Sequence, residues 1–219
     1  MLSVLHNVVD LDLLGLLRKR RDWRSVHVTY HPPRVERLWI QHGSFRVFLH
    51  RIWPCEEGEA LLHPHQWPSA VQVMSGSYEH LTASLDETSP RSSPDHGPIL
   101  CRSILTAGCS YEMTHPHAWH SVRPLGGPSD SIMVVGPLYA PAPTMPSPPT
   151  EKQGPLLQER FDALFEMWHD LLDRRVECHG CGWEGRRSHL AHFAVESPYA
   201  RCPECLDEDQ VCSLDRKEA

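Results

Sequence analysis

The sequence predicts a mainly β chain, an antiparallel β-barrel or sandwich followed by one helix and a small cysteine-bound module. Three observations carry this. Short runs of alternating apolar and polar residues recur through residues 1–136, with turn residues between them. Residues 156–175 hold one continuous helical stripe, and two CxxC pairs come after it. No second helical pattern interrupts the strand series, which argues against a parallel βαβ sheet.

The elements follow in order. Val9, Leu13, Leu16 and Leu17 fall at helical spacing and predict an opening helix near residues 8–20. Strands are expected at VHVTY (26–30), VERLWIQ (35–41) and FRVFLHRIW (45–53), with Gly43-Ser44 as a tight hairpin between the last two. EALLHPHQW (59–67), AVQVMSG (70–76) and SYEHLTASL (77–85) come next, and then a polar loop over 87–98. ILCRSIL (99–105), SYEMT (110–114), HSVRPL (120–125) and SIMVVG (131–136) complete the series. The proline-packed stretch 137–155 holds neither a helix nor an inner strand and reads as a semi-rigid linker. In the helix 156–175, Leu157, Phe161, Leu164, Phe165, Trp168, Leu171 and Leu172 form one apolar stripe for packing. The expected division is therefore 1–136 for the barrel with its N-terminal helix, 137–155 for the linker, 156–175 for the helix and 176–219 for the cysteine module.

The totals narrow the function. With 40% hydrophobic residues, the chain of 219 residues has enough apolar material for a buried core. A formal charge of −7, with RKRR at 18–21 as its basic cluster, does not signal a nucleic-acid surface. No apolar run reaches the ~20 residues of a membrane span. Asp10 and Asp12 interrupt the N-terminal apolar pattern, against a secretory signal, so a cytoplasmic protein is expected. In a reducing compartment, clustered cysteines point to metal rather than disulfides.

Cys178, Cys181, Cys202 and Cys205 form CxxC, twenty residues, CxxC. Each CxxC turn places two thiolates on one side, and two turns complete a zinc tetrahedron with bonds of about 2.3 Å. Gly180 and Gly182 allow a tight first knuckle. His179, His189 and His192 are competing ligands, but four thiolates already fill the shell, and Cys212 is left as a spare thiol. The module resembles a zinc ribbon, which implies a closed structural zinc site and a surface for a protein partner.

The first zone is rich in histidine, with His63-x-His65 and then His115, His117 and His120 in THPHAWHSV. On a strand, residues i and i+2 share a face, so His63 and His65 point the same way. Pro64 places the pair at a strand edge or end. His120 leads an alternating run with Val122 and can face inward. Three imidazoles from two strands make a facial site with open positions, suited to iron, zinc, manganese or nickel. His117 is the alternative third ligand.

Two patterns here resemble the cupin superfamily. One is Gly58, His63-x-His65 and Gly76. The other is Gly108, HPHAW and His120-Ser121-Val122. The resemblance spans residues 25–136 and implies a jelly-roll antiparallel β-barrel with His63, His65 and His120 as metal ligands. Ser69 stands where the family carries a glutamate ligand. The three-histidine set that remains is similar to the thiol dioxygenase branch, which implies iron, dioxygen and a small polar substrate, a thiol among the candidates. Trp67 and Trp119 are expected to wall the pocket, Tyr139 to lie near it, and Arg123 is a candidate for a substrate carboxylate. The competing expectation is a non-catalytic cupin that binds a ligand or partner, with the ribbon as interaction module. A homodimer is an expectation from the resemblance alone.

Overall fold

The computed structural model describes residues 1–84, 99–141, 153–173, 175–186, 202–205 and 211–213. Its contacts form two compact units, Met1–Leu13 with Lys19–Phe161, and Leu14–Arg18 with Asp162–Ala219. The chain is mainly β with antiparallel sheets, as the alternating runs require.

The opening helix starts earlier than its apolar spacing predicts. It runs as α1 (Leu2–Asn7), a π turn (Val8–Asp12) and α2 (Leu13–Leu17). The wider π turn adds one residue between Val8 and Leu13. Leu5, Val8, Leu13, Leu16 and Leu17 are all buried as a result, while Val9 is only half-buried.

The first unit continues with β1 (Arg24–Val28), β2 (Val35–His42), β3 (Phe45–Ile52), β4 (His63–Pro64), β5 (Ser69–Ser75), β6 (Ser77–Ser84), β7 (Ile99–Thr106), β8 (Ser110–Met113), β9 (Ala118–Pro124) and β10 (Ser129–Val135). One sheet has the order β1-β2-β3-β10-β5-β8 and the other β4-β9-β6-β7. These two antiparallel sheets make the jelly-roll barrel that the sequence predicts. β10 crosses between β3 and β5, pairing Ile132 with Leu49 on one side and with Gln72 on the other. Every residue of β10 is buried, and α1 lies against β5, β8 and β10. The interior holds Phe48, Val71, Met133 and Val135, with Trp39, Trp67 and Tyr111 packed around them. A second cluster of Val28, Val35 and Ile52 meets Val122 from the facing sheet. Fully burying each such side chain contributes roughly 1.5–3 kcal/mol.

Gly43 takes a left-handed φ of 58° and closes the β2–β3 hairpin at the predicted place. The strand expected over 59–67 shrinks to the two residues of β4. Pro64 and Pro68 lack an N–H, so this segment cannot sustain a ladder. β4 sits at the sheet edge, as Pro64 demands. The polar loop 87–98 lies outside the described residues, as does the linker over 142–152.

In the second unit, α3 (Gln158–Leu172) begins within the first unit's span and buries Leu164, Phe165, Trp168 and Leu172. Leu157, counted in the predicted stripe, is 83% exposed, because it precedes the helix and its carbonyl accepts from the Phe161 N–H. Three short strands follow, β11 (Arg175–Cys178), β12 (Glu184–Arg186) and β13 (Val211–Ser213), in the order β12-β11-β13. Gly182 turns the first CxxC back on itself with φ 73° and donates its N–H to the Cys178 carbonyl at 2.7 Å. Among the described residues no helix is long and apolar enough to cross a membrane.

Candidate metal centre

The antiparallel pairing of β4 with β9 sets His63 directly opposite His120. His65 follows just beyond β4. The three imidazoles converge, and one ring nitrogen from each lies within 4.8 Å of the other two. Their ring centroids are 4.9 Å apart for His63–His120, 4.7 Å for His65–His120 and 5.6 Å for His63–His65. His117 packs on His115 instead, with ring centroids 5.4 Å apart, outside this group.

Each of the three rings has a hydrogen-bond contact at its Nδ1. His63 Nδ1 lies 3.0 Å from the Leu61 carbonyl, which can only accept, so Nδ1 carries the proton. His65 Nδ1 is 2.7 Å from Ser69 Oγ, and His120 Nδ1 is 3.1 Å from Nε2 of His80. Each Nδ1 thus has a partner, and the tautomer with the proton on Nδ1, which the Leu61 carbonyl requires of His63, is the one that would leave Nε2 to a metal. This is the arrangement that metal-ligating histidines adopt. His65 Nε2 and His120 Nε2 stand 3.0 Å apart. Two nitrogens bound at about 2.1 Å and roughly at right angles on one ion are separated by about 3.0 Å.

Burial sets the protonation. Desolvation pushes His63 down to about 4, helped by His31 and Arg37 despite the Leu61 hydrogen bond. His65 falls to about 3 through burial and the neighbouring His63 and Arg37. Burial and its histidine neighbours hold His120 well below the usual imidazole range. All three are therefore neutral at pH 7, the form that binds a metal.

The group opens onto a cavity of about 300 Å³ between the two sheets. Trp67, Tyr30, Tyr78 and Tyr111 line it, whereas Trp119 and Tyr139 do not. Arg123, the sequence candidate for a carboxylate, turns to Glu79, its Nε donating to Oε1 at 3.4 Å. Arg37 takes that place in the cavity. It is half-buried, its Nε has no hydrogen-bond partner among the described residues, and burial lowers it to about 10, so it stays cationic at neutral pH. Sequence reasoning missed Arg37, His50 and His80. Their signal is a matter of parity: Arg37 alternates with Val35 and Trp39, and His50 with Phe48 and Ile52, so each occupies an inward-facing strand position.

The four cysteines form the second group. Cys178 Sγ lies 3.5 Å from Cys205 Sγ, and Cys181 Sγ 3.6 Å from Cys202 Sγ. Four thiolates at 2.3 Å on a tetrahedral ion are about 3.8 Å apart, so the spacing fits such an ion. Cys178 and Cys202 are buried, and Cys181 and Cys205 are exposed. Both groups could hold metal ions.

No known protein family's sequence description matches the chain, and no curated protein matches it in sequence. Several solved structures are similar to it. Hydroxypropylphosphonic acid epoxidase from S. wedmorenis is 14% identical over 49% of this chain and 51% of its own, with a TM-score of 0.37. The chain thus spans about half the length of that enzyme. KdgF from Halomonas sp. is 15% identical over 52% of this chain and 90% of its own, with a TM-score of 0.36. BH2720 from Bacillus halodurans is 15% identical over 62% of this chain and 85% of its own, with a TM-score of 0.37.

Proposed function

We propose that the barrel is a metal-dependent cupin of the mononuclear non-haem iron type, oxidising a small anionic substrate with dioxygen. The observation that carries the reading is the convergence of one ring nitrogen from each of His63, His65 and His120 within 4.8 Å of one another on the cavity wall, with a hydrogen-bond partner at each Nδ1. His63, His65 and His120 are the ligands. Iron(II) held by three neutral nitrogens supplies a redox couple and open coordination positions for substrate and dioxygen.

The chain's own residues do the rest. Ser69 and His80 hold the tautomers of His65 and His120. Arg37 presents its guanidinium to an acid group, and its place in the cavity strengthens that attraction over one in open water. Trp67, Val71 and Met133 exclude water from the floor. A small thiol acid fits this reading, with the sulfur at the metal and the acid on Arg37. Cys178, Cys181, Cys202 and Cys205 are assigned to a structural zinc with a closed shell, and this module is the candidate surface for a protein partner.

The test is metal analysis of the purified full chain after anaerobic loading with iron(II). Two metal ions per chain are expected, one iron and one zinc, and His63→Ala should lose the iron while keeping the zinc. A chain that retains only one zinc would refute the reading. Iron retention without oxygen uptake across small thiols and acids would leave a binding protein in place of an enzyme.

A further inference from the structure

The inner face of the large sheet is built in cross-strand rows. One row is Val35–Ile52, and another is Trp39–Phe48–Met133. Between them runs a polar row. Arg37 is the direct partner of His50 across β2 and β3, and Ser131 is the direct partner of His50 across β3 and β10. All three line the cavity. His50 is 6% and Ser131 1% exposed. Arg37 Nε, His50 Nε2 and Ser131 Oγ are buried without a hydrogen-bond partner among the described residues. A buried polar group left unpaired is costly, and an apolar floor would have filled this row more cheaply. Three such atoms in one line, on the face opposite the histidine group, are groups waiting for a ligand.

We propose that His50 and Ser131 form a second recognition pole, which reads a hydroxyl on the substrate beyond the acid group held by Arg37. Arg37 and His50 are direct cross-strand neighbours, and the Arg37 guanidinium carbon lies 5.1 Å from the Phe48 ring centroid, on the strand of His50. The preferred substrates are therefore short hydroxy acids, with the hydroxyl a few bonds from the carboxylate. A hydroxyl both donates and accepts. Neutral imidazole and serine hydroxyl, side by side, offer the complementary acceptor and donor. Burial and the adjacent Arg37 charge keep His50 neutral, so the pole adds no second cation. The inference rests on the cavity being the substrate site of the proposed metal centre.

The test is calorimetric titration of the full chain, its barrel iron content measured first, with γ-hydroxybutyrate and its hydroxyl-free analogue butyrate. The hydroxy acid should bind at least about tenfold more tightly. His50→Leu and Ser131→Ala should each erase that difference and leave butyrate affinity within about twofold of the parent. Because each removes an unpaired polar atom, their unfolding midpoints should stay level or rise, which residues serving only the fold would not do. Equal binding of the two acids, binding of neither, or equal weakening of both in the variants would overturn the proposal. If His50→Leu does not fold, Ser131→Ala decides alone. Missing barrel iron refutes the metal reading, whereas equal binding of the two acids by the parent chain with iron in place refutes only the polar pole.

Discussion

Ser69 sits where a fourth protein ligand is expected from the cupin resemblance, yet it is fully buried and tied to the ligand set from behind. Its Oγ lies 2.7 Å from His65 Nδ1, and where it accepts that proton it leaves Nε2 of the ring as the free nitrogen. His80 does the same for His120. Outer partners of this kind contribute about 10–100-fold in metal affinity. Ser69→Ala should therefore weaken barrel iron or cobalt binding by about that factor in a chelator competition, and leave the unfolding midpoint of the metal-free chain within a few degrees. Unchanged affinity would mean that the 2.7 Å contact does not position the ligand. The three converging histidines were legible in the sequence, because His63 and His65 share strand parity and His120 alternates with Val122, and the cupin resemblance set His120 ahead of His117. The roles of Ser69 and His80 were not. His80 meets His120 only through the register of β6 on β9, where Thr82 opposes His120 and His80 lies one diagonal away.

At the scale of elements, the two glycines of the first motif do different work. Gly58 has φ 85°, and a Cβ there would meet nothing within 4 Å. Gly76 has φ 70°, and a Cβ would come within 2.7 Å of the Pro128 carbonyl oxygen and 3.1 Å of Ser129 Cα. Gly58→Ala bears only the left-handed strain, about 1 kcal/mol, whereas Gly76→Ala adds a backbone clash at the β5–β6 turn and should cost about 2–3 kcal/mol in urea unfolding. Equal costs would contradict this packing. Strand positions were legible wherever alternation was unbroken, as in β2, β3 and β6, and the Gly43-Ser44 hairpin was legible from its turn chemistry. The failures have local causes. Prolines cut the expected strand around His63 to two residues. The π turn shifted the phase of the opening helix from Val9 to Val8. Leu157 shares the helical spacing of α3 but lies outside the helix.

For the molecule as a whole, the sequence carried both candidate metal groups and the mainly β architecture, but not the floor of the cavity. The floor depends on β10 inserting between β3 and β5, a pairing of strands far apart in the chain. That insertion aligns Ser131 with His50, and through it with Arg37. Periodicity within one strand holds no information about this register. It also leaves Arg37 lining the cavity, whereas Arg123 is engaged by Glu79. Everything proposed for the barrel depends on the three histidines holding a single metal ion. Iron-edge X-ray absorption of the iron(II)-loaded full chain measures this without interference from a zinc at the four cysteines. The expected spectrum has a nitrogen and oxygen shell near 2.1 Å with imidazole scattering from three rings, and that signal is lost in His63→Ala. A shell without imidazole, or a spectrum unchanged in His63→Ala, would contradict it.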